Sequence, residues 1–456
     1  MLRPESRNSG ASIVTSVLHV GIDDTDSPRK GCTTYVAALL VDKLAKSGCV
    51  FVDYPNLIRL NPNVPWKTRG NGAVCLRFVC TEQRTGQVMK SIISIVRRNS
   101  DLTHKKADPA IAYLRGDVPA ELTEFSKKVI RSVATTRDAE RIARKCNVSH
   151  IALKGKKGII GATAAIGETL RSDHTYELIA YRTPQNRSHP RRIDKESIFT
   201  MNQETAPLTF NNVDPETGRV LITPRGRDPI LYGIRGETAE AVLKGHQIVG
   251  SNEEIERWVI FRTNHGTDDH YSKVSKITDV RPHQPAVVIA RVSSIPRTIP
   301  GGHVIFELSD GSAAIDCAAY EPTGHFRDII RKLVQGDVVE ACGGVRKQSK
   351  TCPQTLNLEK IRILSLAPNS RHENPCCPKC GKRMESAGRG QGFRCRRCSV
   401  LDPTAQKTSV TIERDLSTGL HVPPPRAHRH LTKPISRYGR EKIGQNVCLI
   451  ESWHRP

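Results

Sequence analysis

The chain has 456 residues, of which 37% are hydrophobic and 25% charged, a composition typical of globular domains rather than of a disordered chain. Its 70 Lys and Arg outnumber 46 Asp and Glu, and the net charge of +24 favours a polyanionic partner such as a nucleic acid. No apolar stretch approaches a membrane span and no signal-peptide pattern opens the chain. We therefore expect a cytoplasmic protein of roughly three or four domains with no membrane partner.

The first predicted strand, residues 17–22, runs directly into an acidic loop that is followed by a helix, with Thr33 or Thr34 as its expected N-cap. Carboxylates crowded at a strand end repel one another unless a cation neutralises them, and Mg²⁺ commonly bridges such groups to ATP phosphates. An Asx-turn with a helix cap, which needs no metal, is the alternative. The loop carries three carboxylates, Asp23, Asp24 and Asp26.

A second loop of the same predicted domain, residues 155–161, is basic and glycine-rich and leads into a run of small residues. Such a loop before a helix is typical of a phosphate-binding turn, although a plain connecting loop is nearly as good an interpretation. A strand at 175–182 ends the domain, for which we predict the bounds 1–195. The candidate nucleotide-binding residues are Gly31, Gly155, Lys156, Lys157, Gly158 and Gly161.

The middle segment, residues 196–282, alternates a hairpin region at 223–233, a helix at 238–244 and a strand at 258–263. This alternation with short connections predicts a ferredoxin-like α+β domain. The last strand runs into a polar cluster at 262–270, in which Asp268 and Asp269 are neighbours. Paired carboxylates at a strand end suit a cationic ligand, and a solvated turn is the alternative.

Residues 283–368 show the order of an OB-fold barrel: three strands, a helix at 326–334 and two more strands. Such barrels present a groove to single-stranded nucleic acids. The same module in a protein-interaction unit is the alternative. The predicted strands are 286–293, 304–308, 313–319, 337–346 and 356–364.

The last predicted domain, residues 369–456, opens with two C-x-x-C pairs and continues into a basic, proline-rich tail. Four thiolates arranged in two such turns are typical of a zinc ribbon, and a site with all four positions filled is structural rather than catalytic. Basic residues between the pairs favour contact with a phosphate backbone. The predicted zinc ligands are Cys377, Cys380, Cys395 and Cys398.

Taken together, these motifs resemble the archaeal isoleucine-tRNA agmatinylcytidine synthetases, the TiaS family, over nearly the whole chain. The acidic motif Gly-Ile-Asp-Asp-Thr-Asp-Ser at 21–27 is the sharpest mark, and no single motif would be specific alone. The other marks lie at 32–35, 70–72, 160–167, 261–269 and in the tail at 423–434.

The resemblance implies an ATP-dependent ligase. Such an enzyme attaches agmatine to the wobble cytidine of the AUA-reading isoleucine tRNA and converts ATP to AMP and phosphates. It also implies a multidomain α+β architecture: an α/β kinase-like catalytic domain, a ferredoxin-like domain on the agmatine side, an OB-fold and a tRNA-binding zinc ribbon. The cofactors would be ATP, Mg²⁺ and structural Zn²⁺, and we expect a monomer.

The resemblance also assigns roles to particular residues. Asp23, Asp24 and Asp26 would hold Mg²⁺–ATP, and Thr33 matches a threonine that family members phosphorylate on themselves. The residues expected near agmatine are Asn264, Gly266 and Asp268. The chain departs from the family where Lys156 and Lys157 replace an expected arginine and His265 an expected glutamine.

Two functions of other classes compete with this hypothesis. A non-catalytic OB-fold and zinc-ribbon RNA-binding protein would have no use for three clustered carboxylates that repel phosphate. A metal-dependent nuclease or phosphatase would not need the basic glycine-rich loop or the acidic pair at 268–269.

Overall fold

The structure, a computed structural model, describes residues 16–27, 29, 31–67, 70–226, 228–444 and 447–456. Its architecture is a mixed α/β multidomain fold that includes an eleven-stranded sheet, an eight-stranded sheet containing a barrel, and a small cysteine-rich module. No helix within the described ranges is both long and apolar enough to cross a membrane.

The first half of the large sheet is covered by helices on both faces. Helices α1 and α2 pack on one face and α3 to α5 on the other, which gives two separate apolar cores. The order of the strands in this half is β6-β5-β1-β4-β3, and β2 pairs with β4. The strands are β1 (Val17–Asp23), β2 (Val50–Phe51), β3 (Asn56–Arg59), β4 (Gly72–Val79), β5 (Ala110–Arg115) and β6 (Ser149–Ala152). The helices are α1 (Thr33–Lys46), α2 (Glu82–Asn99), α3 (Ala120–Arg131), α4 (Thr136–Lys145) and α5 (Gly158–Gly167).

Strand β1 is central because its apolar side chains, at alternate positions, face one core and because Gly21 lets a helix approach closely on the other face. Leu18, Val20 and Ile22 face the core formed with α1 and α2. On the other face, a Cβ atom at Gly21 would lie 1.9 Å from the carbonyl oxygen of Ala162, so α5 crosses β1 at a distance that only glycine permits. This contact brings the start of α5 to the acidic end of β1.

The predicted N-cap of α1 is wrong, because the helix begins at Thr33 and Cys32 occupies the cap position in an extended conformation. The structure records no side-chain hydrogen bond from Cys32 at this cap. The start of α1 therefore lacks the side-chain cap that the threonine pattern predicts.

The second half of the sheet continues in the order β10-β7-β9-β8. The parallel pairing of β3 with β10 joins the two halves, with Arg262 opposite Asn56 and Thr263 opposite Leu57. Helices α6 and α7 pack against the core that also contains α1. The elements are β7 (Thr175–Arg182), α6 (Lys195–Thr205), β8 (Thr209–Phe210), β9 (Ile230–Gly236), α7 (Ala239–Ile248) and β10 (Ile255–Thr263).

The predicted OB-fold is confirmed as a closed five-stranded barrel. The barrel closes where β12 pairs with β14, at Arg291 with Ser309 and Val292 with Leu308. A helix fills the position between the third and fourth barrel strands, as the sequence predicts. The elements are β11 (Ser272–Lys273), β12 (Pro285–Val292), β13 (Arg297–Ile299), β14 (His303–Ser309), β15 (Ala314–Ala319), α8 (Phe326–Arg331), β16 (Val338–Arg346) and β17 (Thr355–Ser365).

The chain after the barrel makes a small ribbon and then returns to the large sheet. Strand β23 pairs with β17 of the barrel, and β24 pairs with β10. Between them the guanidinium of Arg437, which is fully buried, binds Asp173 and Glu237 of the N-terminal region. The strands are β18 (Ser370–Glu373), β19 (Glu385–Ser386), β20 (Phe393–Arg394), β21 (Leu401–Asp402), β22 (Thr408–Thr411), β23 (Gly419–His421) and β24 (His454–Arg455).

Candidate active site

A cavity of about 420 Å³ lies at the acidic end of β1, and three regions of the chain line it. The first half of the large sheet contributes the aspartate loop and the loop between β3 and β4. The second half contributes Glu177, Asp228 and Arg235, and the C-terminal tail contributes His430. All three predicted aspartates, Asp23, Asp24 and Asp26, line this single cavity.

The aspartates are held close together in a way that disfavours their ionisation. Burial and then the neighbouring Asp24 raise the pKa of Asp23 well above its usual value. Burial also raises the pKa of Asp24 to about 7, with a further contribution from Asp26. The backbone of Asp24 has a φ of 57°, in the left-handed region that aspartate tolerates better than most residues. A cation would relieve the repulsion that the fold builds in at this point.

Hydrogen bonds from distant segments fix the aspartate loop. The Asp24 carboxylate accepts a bond of 3.1 Å from the backbone N–H of Asp108. The Ser27 hydroxyl donates to Asp101 at 2.7 Å, and Arg29 forms an ion pair with the same carboxylate at 3.0 Å. The loop is therefore held by three contacts, to Asp101 and Asp108, that local sequence patterns do not reveal.

The start of α5 meets the aspartate loop, as the predicted phosphate-binding turn requires. A Cβ atom at Gly161 would lie 1.9 Å from a carboxylate oxygen of Asp23, so this glycine allows the helix to touch the acid. Lys157 and Gly161 line the cavity, and the charge of Lys157 acts on Asp24 to favour its ionised form. The N-terminus of α5 thus brings Lys157 and the positive end of the helix dipole to the carboxylates.

The other residues of the predicted turn lie outside the cavity lining. Lys156 forms an ion pair with Glu140 at 2.8 Å on the surface. Gly155 and Gly158 pack against Asp108, where a side chain would collide with its carboxylate or its carbonyl oxygen. Gly31 has a φ of 86° and lies against the backbone of Thr25. Three of these glycines therefore shape the loops around the cavity.

Thr33 lies on the cavity wall at the first residue of α1. Its hydroxyl is 3.0 Å from that of Thr25, and the residue is only 7% exposed. Cys32 and Thr34 line the cavity beside it. The hydroxyl of Thr33 thus shares one enclosed space with the three aspartates.

The far wall of the cavity carries a carboxylate, Glu177, whose pKa is lowered rather than raised. Burial alone would raise the pKa of Glu177, but Arg235 and Arg59 outweigh it and hold that pKa well below its usual value. The ion pairs measure 3.1 Å to Arg235 and 3.2 Å to Arg59, and a nitrogen of His265 lies 3.4 Å away. Burial lowers the pKa of His265 to about 4, so this imidazole is neutral near pH 7.

The residues expected near agmatine lie behind this wall, and the structure places none of them among the described lining residues. The side chain of Asn264 bonds to both backbone groups of Arg59, at 2.7 and 3.0 Å. The N–H of Gly266 donates to the carbonyl of His430 at 2.8 Å. Asp268 accepts from the N–H of Lys433 at 2.8 Å and pairs with Lys360. These residues position the strand end and the tail.

The predicted zinc ligands converge, with one sulfur from each of the four cysteines lying within 4.8 Å of all the others. The arrangement suits a tetrahedral zinc ion held by four thiolates. Cys376, next to the first ligand, is exposed and belongs to no such group within the described part of the chain.

Family models match four consecutive segments of the chain. They are the TiaS TCKD domain at residues 19–155, the TiaS FLD domain at 156–270, an OB-fold nucleic acid binding domain at 286–364 and the TiaS C-terminal zinc ribbon domain at 374–416. A curated relative from Pyrococcus horikoshii, the isoleucine-tRNA 2-agmatinylcytidine synthetase TiaS, is 42% identical over 419 residues, which cover 92% of this chain and 97% of the relative. The chain belongs to the TiaS family.

Two solved TiaS structures resemble this fold over nearly their whole length. The complex of TiaS with its isoleucine tRNA and ATP superposes with a TM-score of 0.84 at 39% identity. The complex of TiaS with the same tRNA, AMPCPP and agmatine superposes with a TM-score of 0.82 at 37% identity. Each alignment covers 92% of this chain and 97% of the solved chain. The likeness therefore extends to the domain arrangement as well as to the separate domains.

Several lining residues were missed by the sequence reasoning, although some lie within motifs that resemble TiaS. Gly70, Asn71 and Gly72 line the cavity, and so does His430 from the tail motif. Glu177 left one usable signal, since it is a charge in the interior of a predicted strand. Arg59 and Arg235 left a similar signal by interrupting apolar runs, whereas Trp66 and Asp228 left none.

Proposed function

We propose that this chain joins agmatine to the wobble cytidine of the AUA-reading isoleucine tRNA, with ATP converted to AMP and phosphates. Family membership supports the proposal, because the curated relatives are isoleucine-tRNA 2-agmatinylcytidine synthetases. Solved TiaS complexes contain the isoleucine tRNA with ATP, or with AMPCPP and agmatine. The basic composition, the OB-fold and the zinc ribbon suit an RNA substrate.

The observation that carries the proposal is the meeting of three carboxylates with Thr33 and Lys157 in one cavity. The donor set fits Mg²⁺, because carboxylate oxygens are its preferred protein ligands. Burial, and after it the charge of Asp26, raises the pKa of Asp24, and a bound cation would offset both effects. Bound there with ATP, the ion would neutralise phosphate charge. Asp23, Asp24 and Asp26 are the residues that would hold it.

The start of α5 would bind the nucleotide phosphates. Lys157 provides a positive charge on the cavity wall, and the dipole of α5 adds to it at the same end of the helix. The N–H groups of Gly158, Ile159 and Ile160 themselves donate to backbone carbonyls. Gly31, Gly155, Lys156 and Gly158 would act by shaping or flanking these loops. Together these groups orient the phosphates against the aspartates.

Thr33 would be the hydroxyl that accepts a phosphoryl group during self-modification. Its place at the first residue of α1 would stabilise the negative charge of the product through the free N–H groups of that turn. Its enclosure in the cavity keeps bulk water away from the reacting hydroxyl.

The agmatine side of the cavity would be the wall formed by the second half of the sheet. Asn264, Gly266 and Asp268 would support it from behind, since Asn264 fixes the backbone of Arg59. The lining carboxylates on that side are Glu177 and Asp228. Both are already paired with arginines, so a cationic amine would join these ion pairs rather than enter an unpaired acidic pocket.

At the domain level, we assign residues 1–195 to a kinase-like catalytic domain and 196–282 to a ferredoxin-like domain. The barrel then occupies 283–368, and the zinc ribbon with its basic tail 369–456. The antiparallel run β10-β7-β9 with α6 and α7 packed on it supports a ferredoxin-like arrangement of the second half. However, β7 at Thr175–Arg182 pairs with β9 and β10 of the second half, which favours a boundary between these two domains before Thr175 rather than at residue 195.

The test is transfer of labelled agmatine to unmodified tRNA in the presence of ATP and Mg²⁺. We expect label in the RNA only when ATP is present, and loss of labelling in Asp24→Ala. Asp415→Ala, whose side chain is 98% exposed on the barrel side, is the matched control and should label normally. Equal labelling without ATP would contradict the proposal.

The same reaction separates the competing functions. A non-catalytic RNA-binding protein would retain tRNA but transfer no label, and a nuclease would shorten the RNA. The cavity favours neither, because the enclosed hydroxyl of Thr33 and the lysine at α5 serve no purpose in a pure RNA binder.

A further inference from the structure

A second cavity, of about 290 Å³, adjoins the active-site cavity and shares part of its wall. Arg59, Lys67, Gly70 and His430 line both spaces. The three aspartates and Lys157 line only the larger one. A molecule in the second cavity would therefore touch the reaction site without occupying the nucleotide end.

The second cavity is lined by positive charge. Arg59, Lys67 and Arg429 contribute cations, and the described lining residues include no carboxylate. Two of the cations form ion pairs, Arg59 with Glu177 at 3.2 Å and Arg429 with Glu359 at 3.2 Å. Neither of these glutamates lines the second cavity.

The neighbouring titratable groups respond to this positive charge. The charge of Arg59, and then burial, lower the pKa of His430 well below its usual value. Burial and then the charge of Arg429 lower the pKa of Lys67. Burial also lowers the pKa of His428 to about 4, so both imidazoles of this cavity are neutral near pH 7. An anion would remove the repulsion among these cations.

One polar atom of the wall also lacks a partner. The Nε of Arg59 is buried and makes no hydrogen bond within the described structure. A buried donor without an acceptor is costly, and such atoms are normally satisfied by water or by a ligand. The lining of the cavity and its positive charge favour an anionic ligand, and the unpaired donor adds to the positive charge behind the wall.

We propose that the second cavity binds a phosphate group, and that this phosphate belongs to the RNA strand beside the nucleotide whose base enters the larger cavity. The inference rests on the proposed function. A target base must leave its stack to be modified, and the flanking backbone must then bend to follow it. The volume is at the lower end of ligand cavities, which suits a phosphate with its ribose better than a second nucleotide.

Trp66, which precedes Lys67, supports an RNA strand as the source of the phosphate. The indole of Trp66 lines the larger cavity and is 52% exposed, an unusual position for so large an apolar surface. Single-stranded nucleic acids are commonly bound by a cation on the backbone and an aromatic ring on the adjacent base. Trp66 and Lys67 are consecutive, so one short loop offers both contacts.

The experiment compares Lys67→Gln with wild type in binding a stem-loop RNA of the tRNA anticodon arm over a range of salt concentrations. Lys67 is exposed at the cavity rim, so its replacement does not disturb the core. We expect the Kd to rise about threefold to tenfold and the salt slope of log Kd to fall by about one unit. Lys67→Arg should restore the slope, and Lys90→Gln, on the exposed surface of α2, should not change it.

Two further arms identify the source of the phosphate. Uncharged methylphosphonate linkages are placed singly around the target cytidine. At one position the substitution should weaken RNA binding by the wild-type protein but leave RNA binding by Lys67→Gln unchanged. ATP and inorganic pyrophosphate are titrated without RNA, and their Kd values should be the same in both proteins. Weaker pyrophosphate or ATP binding in Lys67→Gln would overturn the assignment to RNA, and unchanged RNA binding would overturn the phosphate site itself.

Failure of the proposed reaction is distinguishable from failure of this inference. If wild type transfers no agmatine but Lys67→Gln still lowers the salt slope for RNA, the phosphate site stands while the proposed function falls. If agmatine labelling is normal and Lys67→Gln leaves the salt slope of RNA binding unchanged, the proposed function stands and the phosphate site falls.

Discussion

The cavity at the end of β1 holds two groups of carboxylates whose pKa values are shifted in opposite directions. At the end of β1, Asp23 and Asp24 lie against each other, and their pKa values are raised. On the far wall Glu177 lies between Arg59 and Arg235, and its pKa is lowered. At Asp24 the charge of Lys157 does not offset burial, whereas at Glu177 the two arginines more than offset it.

This difference assigns the two walls different tasks. Carboxylates that are crowded at a cost to stability are commonly found where a ligand supplies the missing charge. A buried carboxylate between two guanidinium groups is instead part of the framework, since removing it leaves cations unpaired. We therefore expect the aspartates to bind the cation and the nucleotide, and Glu177 chiefly to hold the wall in place.

Replacing a residue of the first group should have the largest effect on activity. In Asp23→Asn we expect agmatine transfer to fall at least about a hundredfold, because an electrostatic contact to the reacting groups is lost. The Tm should not fall, since the change removes a repulsive charge. Both are measured on the same preparation, by labelling and by thermal unfolding. A drop of several degrees in Tm would show that Asp23 is part of the framework instead.

Replacing the residue of the second group should mainly lower stability. In Glu177→Gln the guanidinium groups of Arg59 and Arg235 lose their buried partner, and we expect the free energy of unfolding to fall by about 3–5 kcal/mol. Urea unfolding measures the change. The double variant Glu177→Gln with Arg235→Met should recover part of the lost stability. An unchanged urea midpoint in Glu177→Gln alone would contradict a structural role for Glu177.

The raised pKa of Asp24 predicts that metal binding depends on pH. Below about pH 7 this carboxylate holds a proton in the metal-free protein, so Mg²⁺ must displace it. We expect the apparent Mg²⁺ affinity to fall as pH decreases from 8 to 6, by up to about tenfold per unit below the pKa. Calorimetric titration in the presence of a non-hydrolysable ATP analogue measures it.

The raised pKa of Asp24 also determines how the stability of the metal-free protein changes with pH. Because the folded pKa of Asp24 exceeds the ordinary value of 3.8, ionisation costs stability as pH rises from about 4 to about 7. Added Mg²⁺ should cancel this loss in wild type and have little effect in Asp24→Asn. A metal affinity that is constant between pH 6 and pH 8 would show that Asp24 does not bind the ion.

Removal of zinc should have the smallest effect on the cavity. The four cysteines form their own small core, separate from the cores around the aspartates. Chelation should weaken tRNA binding but change the Kd for ATP by less than about twofold, because no zinc-ribbon residue is among those that the structure places on the cavity wall. A large loss of ATP binding would indicate that the ribbon stabilises the catalytic half.

The sequence predicted those parts of the site that lie close together along the chain. Asp23, Asp24 and Asp26 form one motif, and the four cysteines form two C-x-x-C motifs. Spacing along the chain is therefore enough to predict that these predicted metal-binding side chains lie together. The barrel followed from strand order in the same way.

The far wall could not be predicted, because its residues meet only through tertiary structure. Arg59, Glu177 and Arg235 come from strands β3, β7 and β9, and the parallel pairing of β3 with β10 joins the halves that carry them. His430 reaches the cavity because the tail returns past the barrel. The pattern at Asn264 and Asp268 indicated a polar strand end but not that these side chains bind backbone and lysine.

The central claim is that the aspartates at the end of β1 bind a divalent cation that also contacts the nucleotide phosphates. The most direct test is anomalous diffraction from crystals grown with Mn²⁺ and a non-hydrolysable ATP analogue. We predict a manganese peak within coordination distance of carboxylate oxygens from Asp23, Asp24 or Asp26 and of the phosphates. Nucleotide bound in the cavity with no metal at these carboxylates would contradict the claim.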